Sequence, residues 1–208
     1  MYMKVIRQIA YLCVVALAAM TTVSCSNESD TTLTSQQTSI SRYLTSSHQP
    51  RLIAEADIAS SLDNEPQFYT QWGLDIYRYI STYYAEGRDD KAVVERGSKI
   101  AITYKAYVFS GSKPTISNLY ATNSAEAIAE LQAEGLNTEY EWTTDPMTIV
   151  MGRQEIIPAL ETALMDCREG DSVEIYLTYD AAYGKHYVGF VPSMSAVVWY
   201  IDIVSVNQ

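Results

Sequence analysis

The chain has 208 residues, with 14 basic and 25 acidic side chains and a net charge of −11 at neutral pH. That balance weighs against nucleic acid and against electrostatic capture by anionic lipid. The two histidines, His48 and His186, are too far apart in sequence to suggest a metal site, and no cofactor is implied. There is no Gly-rich phosphate loop, no G-x-S-x-G nucleophile motif and no Cys–His pairing.

In chain order, the first element is a targeting segment. Lys4 and Arg7 form a basic start, and Ile9 to Met20 is an apolar stretch too short to span a bilayer. Thr22-Val23-Ser24-Cys25 follows and resembles a bacterial lipoprotein signal, in which Cys25 is acylated and becomes the mature N-terminus. Thr22 departs from the aliphatic residue more usual there. Loss of residues 1–24 removes two basic residues and no acidic ones, leaving 12 against 25 and a charge of −13. Membrane attachment then depends on the lipid. Cys13 leaves with the signal and Cys25 carries lipid, so Cys167 has no disulfide partner and reads as a small buried hydrophobe.

Residues 25–40 are rich in Ser, Thr, Asn, Asp and Gln and read as a flexible tether. Residues 41–74 read as an N-terminal helical extension, with Tyr43, Leu44, Leu52, Ile53 and Ile58 at loosely helical spacing around Pro50. Asp75 to Tyr84 is strand-like. Ile100, Ile102, Tyr104, Ala106 and Val108 alternate on one face of a strand. Residues 117–146 form an insertion. Ser124 is placed to N-cap a helix within it, and Gly135 ends that helix. The 17 tyrosines read as amphipathic strand and surface packing rather than a sugar-binding platform.

The C-terminal third carries the most information. Met147 to Met151 is a short apolar run broken by Gly152. Pro158 sits where a first helical residue would, and Ile156, Ile157, Leu160, Ala163 and Leu164 recur at helical spacing. Glu155, Glu161 and Asp166 read as its solvated face. Val173, Ile175, Leu177 and Tyr179 alternate with Glu174, Tyr176 and Thr178 as in a half-buried strand. Val197, Trp199, Ile201 and Ile203 alternate likewise.

With G-R-Q-E-I-I-P at 152–158, A-Y-G at 182–184 and G-F-V-P at 189–192, this order resembles the FK506-binding-protein (FKBP) family of peptidyl-prolyl isomerases. The likeness reaches back through Arg96-Gly97 and I-A-I-T-Y at 100–104, covering roughly 110 residues. It implies an α+β fold, with a bent antiparallel sheet of about five strands wrapped on a short helix, spanning residues 75–208. It also implies a proline-binding pocket. Tyr183 would supply a phenolic donor and Ile157 a backbone N–H. Tyr104, Met147, Ile156, Leu160, Phe190, Val191 and Trp199 would line the site, although plain core packing would place Tyr104 and Trp199 in the same positions. Three positions depart from the family pattern. Leu160 replaces a pocket-floor Trp, Met147 a Phe, and Pro114-Thr115 a Phe-Asp pair. The one-residue-shorter loop at 185–188 leaves His186 as a solvated loop residue.

The resemblance implies a peptidyl-prolyl cis-trans isomerase acting on proline-containing polypeptides, and the lipoprotein-like signal implies a lipid anchor in the bacterial envelope, at the outer membrane on its periplasmic or surface face. A non-enzymatic binding module and a structural subunit of an envelope complex are the alternatives. The helix of the insertion is expected to pack on the rim formed by Phe190 and Val191 and to gate the pocket.

Overall fold

A computed structural model describes residues 28–135 and 141–207. The expected signal segment and Cys25 lie outside the described residues. Two compact units are present, one through Ser35 and one from Gln36 onward. No helix among the described residues is long and apolar enough to cross a membrane.

Residues 28–42 are helical (α1), and one π-helical turn follows at Tyr43–Ser47. The expected tether is therefore ordered helix over residues 28–40. Composition misleads here because the anchoring lies at one end. Ile40, Tyr43 and Leu44 are buried, and the Gln36 amide donates to the Met194 carbonyl (2.8 Å) and accepts from the Tyr179 N–H (2.8 Å). Docking supplies the nucleus that an isolated polar helix lacks.

The sheet has eight strands: β1 (Ile53–Ala54), β2 (Phe68–Trp72), β3 (Ile76–Ile80), β4 (Lys99–Val108), β5 (Leu119–Thr122), β6 (Met147–Val150), β7 (Ser172–Leu177) and β8 (Val197–Asn207). Their order is β1-β2-β3-β7-β8-β4-β5, with β6 also on β4. All pairings are antiparallel except β1 with β2. Three strands exceed the expected five. Two come from the segment read as helical extension, which holds only a short 3-10 helix at Glu55–Ser60 beyond its π turn. The third, β5, lies inside the insertion. The β2–β3 hairpin crosses residue 75, turning at Gly73 with φ 58°.

Helix α2 (Ala125–Ala133) forms as the sequence indicates, the Ser124 hydroxyl accepting from the Ala127 N–H at 3.4 Å and Gly135 lying at φ 71°. Helix α3 (Pro158–Leu164) begins at proline and packs on β3 and β7. Ala159, Leu160, Ala163 and Leu164 meet Ile100, Ile102, Val173, Ile175, Leu177 and Ile201 in the main core. Arg78, on β3, donates to the Ala163 (2.9 Å) and Met165 (2.7 Å) carbonyls, placing a cation at the negative end of α3. Cys167 is fully buried there, and burial pushes its thiol up to about 11.

Strand β7 is not half-buried. On its other face Tyr176 is fully enclosed in a second core with Ile40, Tyr43, Leu44, Leu52, Tyr69, Tyr77, Tyr79, Phe109 and Val198. Much of the tyrosine content serves this outer core. His48 sits at its edge, 4% exposed, between Tyr43 and Tyr79. Its Nε2 lies 3.0 Å from the Glu174 carboxylate and its Nδ1 faces the Pro50 carbonyl. Tyr176 also donates to Glu174 at 2.6 Å. Both partners of the ring are acceptors, so the doubly protonated imidazolium satisfies the site best. Burial, the largest influence, lowers the His48 pKa. The Glu174 hydrogen bond, the Pro50 carbonyl and the Glu174 charge outweigh it, against a lowering by Lys113, and the pKa ends above the ordinary 6.5.

A histidine whose pKa is raised by folding contributes stability that is complete below the unfolded pKa and lost as pH rises through the folded one. Urea unfolding of the wild type and His48→Gln, run from about pH 5.5 to 8.5, should show the largest stability difference at the acid end. The difference should shrink as pH rises above 6.5. A difference independent of pH would mean that the neutral imidazole supplies the contact.

Candidate active site

Four aromatic rings form a connected chain on the inner side of the sheet. Trp199, on β8, stacks on Tyr104, on β4, with centroids 5.0 Å apart and planes 28° from parallel. Tyr120, on β5, meets Trp199 edge-on at 6.2 Å and Tyr183 edge-on at 6.1 Å. The Tyr183 hydroxyl bonds to the Tyr120 hydroxyl at 3.3 Å, longer than the ordinary O–H···O distance of about 2.7–2.8 Å. Edge-to-face placement suits the ring quadrupoles.

The A-Y-G turn fixes Tyr183. Gly184, at φ 62°, donates to the Tyr179 carbonyl at 2.7 Å, and Ala182 donates to Thr178 at 3.0 Å. Burial raises the Tyr183 pKa, and the Tyr120 bond partly offsets this. Burial raises Tyr120 far more, with Tyr183 adding to it. Both phenols therefore remain protonated donors at neutral pH.

The G-R-Q loop places Ile156 and Ile157. Gly152 at φ 87° and Gln154 at φ 57° both adopt left-handed backbone. Their N–H groups donate to the two carboxylate oxygens of Glu161, at 3.2 and 2.8 Å. Glu161 is thus a buried loop clamp and not part of a solvated face. Glu155 stays exposed, as expected, and accepts from the Val150 N–H at 2.9 Å. Arg96 packs against Gly152, where a β-carbon would meet its Cγ at 3.1 Å. Ile156, Ile157 and Met147 are half-buried and pack against the same main core that holds Trp199. No acceptor among the described residues takes the Ile157 N–H.

Two expected lining residues occupy other places. Leu160 has no exposed surface and supports the site from within the core. Val191 is likewise fully buried, whereas Phe190 is 74% exposed. The Val188–Val191 bridge closes a tight turn, with Gly189 at φ 56° and Phe190 at its exposed tip. Only Phe190 is left at the rim.

The Pro114-Thr115 match also fails. Thr115 caps a 3-10 turn at Ile116–Asn118, and Pro114 lines a groove with Lys105 and Tyr107, side chains of β4 that point away from Tyr104. Tyr120 is the residue from this region that reaches the rings. Helix α2 buries Ala127, Ile128 and Leu131, and its Glu126 reaches Lys105 at 3.8 Å. Phe190 stays exposed, so the expected packing of that helix on Phe190 and Val191 is not seen. The insertion meets the site through β5 instead.

Asn123 holds this arrangement together. Strands β5 and β6 share one edge of β4, pairing Lys105–Tyr107 and Lys99–Ile102 respectively. Between them the Asn123 side chain accepts from the Tyr104 N–H at 2.7 Å. Its amide donates to the Ile102 and Asp145 carbonyls, both at 3.0 Å. The side chain is 3% exposed and fully satisfied.

Apolar walls and two phenolic donors, with no nucleophile among them, make a site suited to gripping a neutral ring and hydrogen-bonding a carbonyl. On this sheet-and-helix scaffold, that is the pocket of an FKBP-like domain. The comparisons agree. The FKBP-type peptidyl-prolyl cis-trans isomerase profile matches residues 91–204, more than half of the chain. The chain belongs to that family. A Bos taurus protein named peptidyl-prolyl cis-trans isomerase FKBP11 is 39% identical over 54 residues, which is 26% of each chain.

Replacing Asn123 tests the architecture of the site. Asn123→Ala strands the Tyr104 N–H and two carbonyls and should cost about 3 kcal/mol. Asn123→Asp should cost at least as much, because a carboxylate would face two carbonyl oxygens. Chemical unfolding gives the stability, and near-UV circular dichroism reports the Tyr104–Trp199 stack. A loss below about 1 kcal/mol would mean that water replaces the side chain.

Proposed function

We propose that this protein is a peptidyl-prolyl cis-trans isomerase that acts on proline-containing polypeptides outside the cytoplasm. The observation that carries this reading is the half-buried Tyr183 hydroxyl, held beside an apolar aromatic pocket in the family-matched region. Rotation about an X–Pro bond faces a barrier of about 18–20 kcal/mol, set by amide resonance. A dry pocket around the proline ring disfavours the charge-separated planar form. Donors aimed at the twisted carbonyl favour the transition state over the ground state. Tyr183 supplies one donor, and the Ile157 N–H, engaged by no acceptor among the described residues, supplies the other.

Binding without turnover is the second reading. It is favoured by the engagement of the Tyr183 hydroxyl with Tyr120 and by Leu160 and Met147 in place of the aromatics usual in the family.

The proposed place of action is the bacterial envelope, at the outer membrane, with lipid on Cys25 as the anchor. Support comes from the basic start, the short apolar stretch and the small residues before Cys25.

Two measurements test these readings. Tyr183→Phe should slow X–Pro exchange, measured by NMR, by about ten-fold or less, the net worth of one hydrogen bond. An unchanged rate would assign the effect to the backbone donor and desolvation. Cys25→Ala should move the protein from the membrane fraction to the soluble fraction, and a variant that still pellets after a salt wash would end the lipoprotein reading.

A further inference from the structure

The Tyr183 hydroxyl is not an isolated donor. Its partner Tyr120 comes from the insertion and sits edge-on to both Tyr183 and Trp199. The Trp199 indole nitrogen is buried and has no partner that meets hydrogen-bond geometry. A buried N–H without a partner is costly and calls for an explanation. Trp199 favours the ionised form of Tyr120, the effect of an N–H directed at the phenol oxygen. The nearest arrangement that satisfies all three groups is a directional chain.

We propose that Trp199, Tyr120 and Tyr183 form a donor relay that a bound X–Pro carbonyl completes, with Tyr120 as its positioning residue. This rests on the isomerase reading. When peptide binds, the Tyr183 proton turns to the carbonyl oxygen. The Tyr120 proton turns to the Tyr183 oxygen, and the Trp199 N–H closes on the Tyr120 oxygen. No proton is transferred, and each group donates once. Donors in series polarise one another, so the terminal hydroxyl becomes stronger than a lone phenol. The long 3.3 Å bond between the tyrosines suits a contact that tightens only when the chain is complete. Tyr120 would thus orient the Tyr183 hydroxyl, and it would tie the insertion to the chemistry rather than to gating.

Tyr120→Phe in the full chain keeps the ring and removes the link. With an Ala-Leu-Pro-Phe peptide, kcat should fall about 3- to 10-fold with KM nearly unchanged. The double variant with Tyr183→Phe should be no slower than Tyr183→Phe alone, because a relay without its end has nothing to orient. In NMR spectra the Trp199 indole proton should move downfield when peptide is added to the wild type, and this movement should vanish in Tyr120→Phe. Rate losses that multiply in the double variant would overturn the relay, as would a Tyr120→Phe enzyme of wild-type kcat. Should the wild type itself show no exchange, the isomerase reading falls. Peptide binding without turnover then decides the relay alone, and an indole shift on peptide addition that is equal in wild type and Tyr120→Phe would overturn it.

Discussion

One asparagine side chain bridges a gap that the strands cannot close. Strand β4 needs a neighbour along its whole length, yet β5 and β6 cover only its two ends. The Tyr104 peptide group falls between them. Without Asn123, a buried N–H would face neither strand nor water, a penalty of about 1–3 kcal/mol at the position that aims a pocket ring. The same side chain also binds the Asp145 carbonyl, 22 positions on, and so ties the start of the excursion to its end. Tyr104 stacks on Trp199, Trp199 meets Tyr120, and Tyr120 meets Tyr183. The geometry of the pocket therefore descends from a backbone hydrogen bond made by a residue that lines no part of it.

The sheet is covered on both faces by different means. Helix α3 covers one face with aliphatic residues. Tyrosines and the segment from Ile40 to Leu52 cover the other. Tyrosine suits a thin outer layer because its ring fills volume while its hydroxyl reaches a polar edge. Tyr77 bonds the Leu74 carbonyl, Tyr79 the Gln67 side chain and Tyr176 the Glu174 carboxylate. Each buried ring thereby keeps its polar atom satisfied at the margin of the layer.

Elements with strong local signals were legible in the sequence. Pro158 with an aliphatic helical stripe marked α3, alternation marked β4, β7 and β8, and Ser124 with Gly135 bounded α2. What escaped depended on partners distant in the chain. Helix α1 is polar by composition and forms because Ile40 enters the outer core and Gln36 bonds to Tyr179 and Met194, 143 and 158 positions away. Glu161 is a charged residue on a helix, which locally suggests solvent, yet two left-handed N–H groups converge on it. Tyr120 lay in a stretch read as insertion. Leu119 to Thr122 has strand-like residues, but its register on β4 depends on a bulge between Ala106 and Tyr107 that spacing alone does not reveal. Of the pocket, the A-Y-G turn and the I-I-P entry were readable as motifs, whereas the contacts that orient them were not.

The two faces of the sheet also divide the protein's sensitivity to its surroundings. Beside the indole, burial pushes the Tyr120 and Tyr183 phenols above their usual range, so neither changes charge near neutrality. The outer face holds His48, a group that does. Acidity therefore acts on the molecule from the face opposite the rings. A compartment that drifts alkaline would loosen the outer layer while leaving the pocket's charges untouched. Any fall in performance there would track how firmly the sheet is backed rather than a titrating catalytic group.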